Sequence, residues 1–201
     1  MKYASERRHR RSIRLKGFDY SRAGAYFVTI CAQGRICLFG EVVSGVMRAN
    51  DAGRMVEAVW DDVPVFYAGV DIDAFAVMPN HIHGVIVLVG AAPRGRPGIG
   101  ADGRPDSGQA QGPAPTGLSL GEVVRRFKTM TTKRYADGVE NLGWPAFAGR
   151  LWQRNYYEHV IRDDESFNRI RRYIVDNPAR WVVDRDNPLA SAPEPEAAWR
   201  A

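Results

Sequence analysis

Asp73-Ala-Phe-Ala-Val-Met-Pro-Asn-His-Ile-His-Gly-Val-Ile-Val-Leu88 holds two apolar runs parted by Pro79-Asn80, and His81 and His83 open the second run. Side chains on a strand alternate faces, so His81 and His83 project from one side while Ile82 points into the core. Two neutral imidazoles side by side on a rigid sheet make half of a divalent-metal site. Taken alone, the pair reads equally well as two surface histidines at the start of a strand. What favours a metal is a downstream helix able to supply a third ligand and a nucleophile.

The chain has 201 residues, 45% hydrophobic and 25% charged, enough for one domain with a full core and some appendages. Lysine and arginine total 28 against 23 acidic residues, a net charge of +5. The distribution says more than the total. Lys2, Arg7, Arg8, His9, Arg10, Arg11, Arg14 and Lys16 crowd the N-terminus, and Arg125, Arg126, Lys128, Lys133 and Arg134 form a second cluster. Dense basic clusters with few interleaved acids suit phosphate contacts better than a merely solvated face does. Cys31 and Cys37 have no zinc or redox spacing and are read as reduced thiols of a cytoplasmic protein. The basic N-terminus lacks the apolar stretch of a signal peptide, and no apolar run approaches a membrane span, so no membrane partner is expected.

Three segments follow: a basic arm over residues 1–18, a domain over 19–181, and a loose Pro/Ala/Glu-rich tail over 182–201. Within the domain, residues 25–32 form a β-branched and aromatic strand, and Gln33-Gly34-Arg35 is a turn into a short strand over 36–39. A helix spans about 49–63, capped by Asn50 or Asp51 and stopped by Pro64. Residues 70–78 and 81–89 are strands that pair antiparallel. The Gly/Pro/Ala-rich stretch 91–117 lacks aromatic residues and reads as a flexible insertion. Ser119 with Glu122 is a capping box for a basic amphipathic helix from Leu120 to about Tyr135. Residues 149–162 are extended, and a last helix opens at Asp163 or Asp164 and ends before Asn177-Pro178. This order predicts an α+β ferredoxin-like sandwich, an antiparallel sheet with helices packed on one face.

Tyr173 and Asn177 lie four residues apart on one face of the final helix. Placed beside His81 and His83, they would complete a group of two imidazoles, a carboxamide oxygen and a phenol. Such a donor set suits Mg²⁺ or Mn²⁺ with positions open for a phosphate oxygen, and Tyr173 would then be a nucleophile toward phosphorus. Tyr173 also reads as a core aromatic, and Asn177 as an ordinary helix-terminal residue before proline. Tyr135, Tyr156 and Tyr157 are rival nucleophiles that spacing does not exclude. His159 reads as a hydrogen-bonded strand histidine or, alternatively, as a third ligand or phosphate contact.

The string Val77-Met-Pro-Asn-His-Ile-His-Gly84 resembles the His-hydrophobic-His signature of the single-tyrosine HUH transposases, as do Phe127-Lys128 and Trp152-Gln-Arg-Asn-Tyr-Tyr-Glu-His-Val-Ile-Arg162. Arg172-Tyr-Ile-Val-Asp-Asn-Pro178 is similar to the closing block of the REP-associated tyrosine transposases, and Tyr20-Ser21 and Tyr26-Phe-Val-Thr29 also look like that subgroup. The resemblance covers about Arg14 to Trp181, and the insertion at 91–117 departs from the compact members. It implies that His81 and His83 hold the metal, that Asn177 is the third ligand, and that Tyr173 forms a covalent 5′-phosphotyrosine. The implied substrate is single-stranded DNA with imperfect palindromic hairpins, and both a monomer and a homodimer remain open. Arg7, Arg8, Arg10, Arg11, Arg14, Lys16, Arg125, Arg126, Lys128, Lys133 and Arg154 are the expected nucleic-acid contacts. Two other functions compete: a domesticated hairpin-DNA-binding protein that no longer cleaves, and a metal-dependent hydrolase using activated water.

Overall fold

The computed structural model describes residues 15, 17–89, 117–195 and 199. The expected basic arm at 1–14 and Lys16, and the insertion apart from its last residue, lie outside them. The central strand is β1 (Gly24–Cys31), whose β-branched and aromatic residues suit burial on both faces. Its neighbours are β5 (His81–Leu88) on one side and β6 (Tyr157–Ile161) on the other, with β4 (Val70–Val77) outside β5. All three pairings are antiparallel. With α1 (Asp51–Asp61) and α3 (Leu120–Leu142) in the crossovers, this is the expected α+β ferredoxin-like arrangement.

The helices divide between the two sheet faces, instead of sharing one. Tyr26, Val28, Ile30, Ile82 and Ile86 point to one face, where α1 and α3 cover them with Val56, Trp60, Val123 and Phe127. Phe27 and Val85 point to the other, against Ile170 and Ile174 of α4 (Asp164–Asp176). Each of those buried isoleucines is worth roughly 1.5–3 kcal/mol. Arg171 fastens α4 to the bulged edge strand with two 2.6 Å bonds to Asp73. Gly84 serves the first face, since a Cβ there would intrude on the Trp60 ring, which stacks on Phe75 at 4.5 Å.

Local signals set most element ends. Asn50 caps α1 by accepting from the Gly53 amide at 2.9 Å, and Pro64 sits at the start of a further short helix, α2 (Val63–Phe66). The Ser119–Glu122 capping box is present, and Asp163 caps α4. Two expectations need correction. α3 does not end near Tyr135; it runs on to Gly143, whose left-handed φ of 69° ends it. Gly138 lies within the helix, where its missing side chain makes room for Trp144. Residues 36–39 are not a strand either. They lead into a hairpin of β2 (Gly40–Val43) and β3 (Val46–Ala49), turned by Ser44 and Gly45 at φ 53° and 76°. No helix among the described residues is long and apolar enough to cross a membrane.

Candidate active site and nucleic-acid interface

The strand alternation of β5 turns His81 and His83 to the α4 face, opposite Cys31 and Thr29 of β1. Both imidazoles are buried, and their Nε2 atoms stand 3.1 Å apart. Asn80 decides the state of the first ring. Its Nδ2 donates to the carbonyls of Arg35 and Asp186 at 3.0 and 2.7 Å, so the amide cannot flip. Its Oδ1 must therefore accept from His81 Nδ1 at 2.8 Å, which puts the proton on Nδ1 and a lone pair on Nε2. His83 Nδ1 meets the Thr29 hydroxyl at 2.8 Å, a partner able to donate or accept. With the Thr29 hydroxyl accepting, both Nε2 lone pairs face one another, an arrangement that calls for a cation between them.

Burial holds both rings neutral. It pushes His81 down to about 4 and His83 to about 3, with the neighbouring His81 charge adding to the effect on His83. The 3.7 Å approach of His81 Nε2 to the Asp184 carboxylate is thus no ion pair at neutral pH. It is a third donor. The ligand atoms of His81, His83 and Asp184 all lie within 4.8 Å of one another. Burial raises the Asp184 carboxyl, against the lowering influence of His83 and of hydrogen bonds from Asp186 and Asn177. Asn177 follows α4 and is buried, and its Oδ1 has no partner among the described residues. Two neutral imidazoles, a carboxylate and an orphaned amide oxygen fit a divalent cation that accepts nitrogen and oxygen donors.

Tyr173 is half-buried on α4, one turn before Asn177, with its ring centroid 5.3 Å from that of His83 and 6.1 Å from Phe27. Burial raises its phenol well above the ordinary value, and Asp184, Glu194 and Asp186 push the same way while Arg180 opposes them. The structure thus brings His81, His83, Tyr173 and Asn177 together. Asp184 and Asp186 were not foreseen, because they lie in the stretch read as a loose tail. Both are buried, with Asp184 accepting from the Asp186 amide at 2.6 Å and Asp186 paired with Arg35 at 2.9 Å. Asp184 and Asp186 of that tail are therefore packed against the site, while Val182 and Leu189 stay exposed. Of the rivals, Tyr135 is buried among the α3 residues and donates to the Pro145 carbonyl at 3.0 Å. Tyr156 lies beside Lys128, whereas Tyr157 pairs with Thr29 and edges Phe27 on the site's own face. The His159 ring lies tilted against that of Trp199, 4.2 Å between centroids, and is not part of the ligand group.

The basic residues of α3 separate into several environments. Arg125, Lys128 and Lys133 line a groove of about 760 Å³ closed on its far wall by Arg150, Trp152 and Arg154. That wall is tied to the end of the sheet that carries His81, because the Gln153 amide donates to Cys31 O at 2.9 Å and Gln33 N to Leu151 O at 2.8 Å. Lys128 is engaged from within, donating to the carbonyls of Gln153, Arg154 and Asn155 at 2.9–3.4 Å. Arg126 lies over the Tyr67 ring, away from the groove, and Arg134 pairs with Asp62. Arg7, Arg8, Arg10, Arg11, Arg14 and Lys16 lie outside the described residues.

No protein-family model matches the chain. Its fold is similar to the solved structure of a REP-associated tyrosine transposase bound to a REP hairpin. The TM-score is 0.50 and the identity 17%, over 84% of this chain and 73% of that one. An uncharacterized protein of Haemophilus influenzae is 39% identical over 184 residues, which span 92% of this chain and 96% of its relative. With that identity across almost the whole of both proteins, the chain belongs to the family of the Haemophilus influenzae protein.

Proposed function

We propose that this protein is a metal-dependent, single-strand-specific DNA endonuclease and strand transferase, a transposase acting on palindromic repeat hairpins through Tyr173. The observation that carries the reading is the convergence of the two buried Nε2 atoms, the unpartnered Asn177 Oδ1 and the Tyr173 ring beside His83. His81 and His83, with Asp184 and Asn177 as oxygen donors, would hold Mg²⁺ or Mn²⁺. Bound there, the ion supplies a Lewis acid for a scissile phosphate. Asn80 and Thr29 orient the imidazoles, and Phe27 packs under His83 at 5.5 Å and helps to keep water from the ring. The rigid α4 presents Tyr173, whose oxygen bonds to phosphorus while the 3′ oxygen leaves and takes up the proton. The product is a 5′-phosphotyrosine that a second strand end can resolve.

The α3 groove suits a nucleic-acid backbone, with Arg125, Lys133, Arg150 and Arg154 as the phosphate contacts. Lys128 acts there by shaping the wall formed by residues 153–155. The reading is tested with 3′-labelled hairpin oligonucleotides from palindromes flanking the gene, incubated with protein and Mn²⁺ and run on a denaturing gel. A protein-sized labelled band that Tyr173→Phe abolishes supports it. Cleavage without such a band would mean activated water, and binding without cleavage a domesticated hairpin binder.

A further inference from the structure

Arg180 leaves the site by way of the 3-10 turn Asn177–Val183, and its guanidinium folds back toward α4, 5.6 Å from the Tyr173 ring centroid. Of the charged groups that act on this phenol, Asp184, Glu194 and Asp186 are acids and Arg180 is the cation. Asp184 belongs to the candidate ion site and Asp186 is paired with Arg35, so Glu194 is the carboxylate whose repulsion of a phosphodiester falls to Arg180 to offset. Arg180 is built for exchange. Its Nε and Nη2 both donate to one oxygen, Glu194 Oε1, at 2.9 and 2.5 Å. That leaves Nη1 without a partner among the described residues. The side chain is 38% exposed, within reach of an incoming ligand.

We propose that Arg180 is a catalytic residue: it releases Glu194 and binds a non-bridging oxygen of the phosphodiester that Tyr173 attacks. This rests on the tyrosine-endonuclease reading given above. In the step, the Tyr173 oxygen–phosphorus bond forms, the bond from phosphorus to the 3′ oxygen breaks, and the phenol proton ends on the released 3′ hydroxyl. The guanidinium keeps its own proton throughout and stabilises the charge that gathers on the equatorial oxygens. Its planar fork can hold such an oxygen with two N–H groups, which a lysine ammonium cannot reproduce in the same geometry. Glu194 then acts as a placeholder for the phosphate. The segment that carries it has a separate tie, the Glu194 amide to Val183 O at 2.8 Å, so loss of the carboxylate need not release the chain.

The test follows single-turnover formation of the covalent adduct by the full chain with Mn²⁺ on a 3′-labelled hairpin oligonucleotide from its flanking palindromes. Native gels give Kd in parallel. Arg180→Gln is expected to slow adduct formation about 100-fold, the usual cost of one such donor, with Kd changed only a few-fold. Arg180→Lys should retain an intermediate rate, and Glu194→Gln should react at least as fast as the wild type. A purely structural clamp predicts the opposite for the last variant, because both halves of the ion pair would then be equally damaging. Wild-type speed in Arg180→Gln, or equal slowing in Glu194→Gln, would overturn the proposal. A wild-type adduct lost in Tyr173→Phe would show that such a failure belongs to Arg180 alone. No adduct in the wild type would overturn both.

Discussion

The Nε2 atoms of His81 and His83 face each other at 3.1 Å, and each ring is held at its other nitrogen, by Asn80 in the turn before β5 or by Thr29 on β1. Such a pair is organised for a cation before any cation arrives. Mn²⁺ is expected to bind with one site per chain and to raise the unfolding temperature. At a hundred times Kd, the stabilisation is about 2.7 kcal/mol. His83→Ala should abolish both the binding heat and the thermal shift. A shift that persists in that variant would place the ion elsewhere.

Asn80 would act on a bound ion through His81, and its replacement separates tautomer control from ligation. Asn80→Ala leaves His81 Nδ1 and the carbonyls of Arg35 and Asp186 without their partner. Mn²⁺ affinity should fall by about 10–100-fold, and stability by roughly 1–3 kcal/mol for the unsatisfied buried groups. Titration calorimetry with urea unfolding checks both; unchanged affinity would remove Asn80 from the site.

The histidine pair also sets a pH dependence. Its folded values, about 4 for His81 and about 3 for His83, lie below the ordinary 6.5. The unfolded chain therefore binds more protons as pH falls from about 6.5 toward 4, and the folded state loses stability in that window. Each group contributes on the order of 1.4 kcal/mol per pH unit. Above pH 7 neither should contribute a slope. Urea midpoints between pH 7.5 and 4.5, wild type against His83→Gln, measure it, and a parallel slope in the two proteins would contradict the assignment.

Gly84 answers to the opposite face. In Gly84→Ala the new methyl meets the Trp60 ring, which is held between Phe75 and Phe127. Overpacking of this kind costs roughly 1–3 kcal/mol, and each kcal/mol lowers Tm by about 2–4 °C in a chain of this size. Differential scanning calorimetry reads it directly, with Mn²⁺ affinity expected to survive.

In the α3 groove, Arg125→Ala, Arg150→Ala and Arg154→Ala should each weaken hairpin binding at every sequence and lower the slope of log K against log salt by somewhat less than one. Lys128→Ala should act otherwise. Its ammonium is engaged by the backbone, so it should destabilise the 153–155 wall as well as weaken binding. Groove variants that altered only the choice of cleavage position would contradict a backbone-contact role.

How much of this was legible beforehand differs from one residue to the next. The common face of His81 and His83 follows from strand alternation, and the nearness of Tyr173 to Asn177 follows from helical spacing, because both periodicities are local. Asp184 and Asp186 carry no such signal. They sit in an aperiodic stretch, Val183-Asp-Arg-Asp-Asn-Pro188, and gain meaning only when the turn after Asn177 brings them back over β5. Thr29 and Asn80 look like an ordinary strand threonine and turn asparagine until the register pairs Thr29 with His83. The β2–β3 hairpin carries a short signal, Ser44-Gly45 between apolar residues, but its strands are only four residues long and too short to show a period. The division of helices between faces was also beyond sequence patterning, since the stripe of α4 shows that it packs, but not on which side.

The most direct measurement is the identity of the residue that becomes linked to DNA. Arg172 and Arg180 bracket Tyr173, so trypsin isolates it on the peptide from Tyr173 to Arg180, apart from those carrying Tyr135 or Tyr156 and Tyr157. After reaction with a hairpin oligonucleotide and Mn²⁺, nuclease trimming and mass spectrometry should find a 5′-nucleotide on the Tyr173 peptide. A nucleotide on the peptide holding Tyr156 and Tyr157, or cleaved DNA with every tyrosine peptide unmodified, would contradict the account.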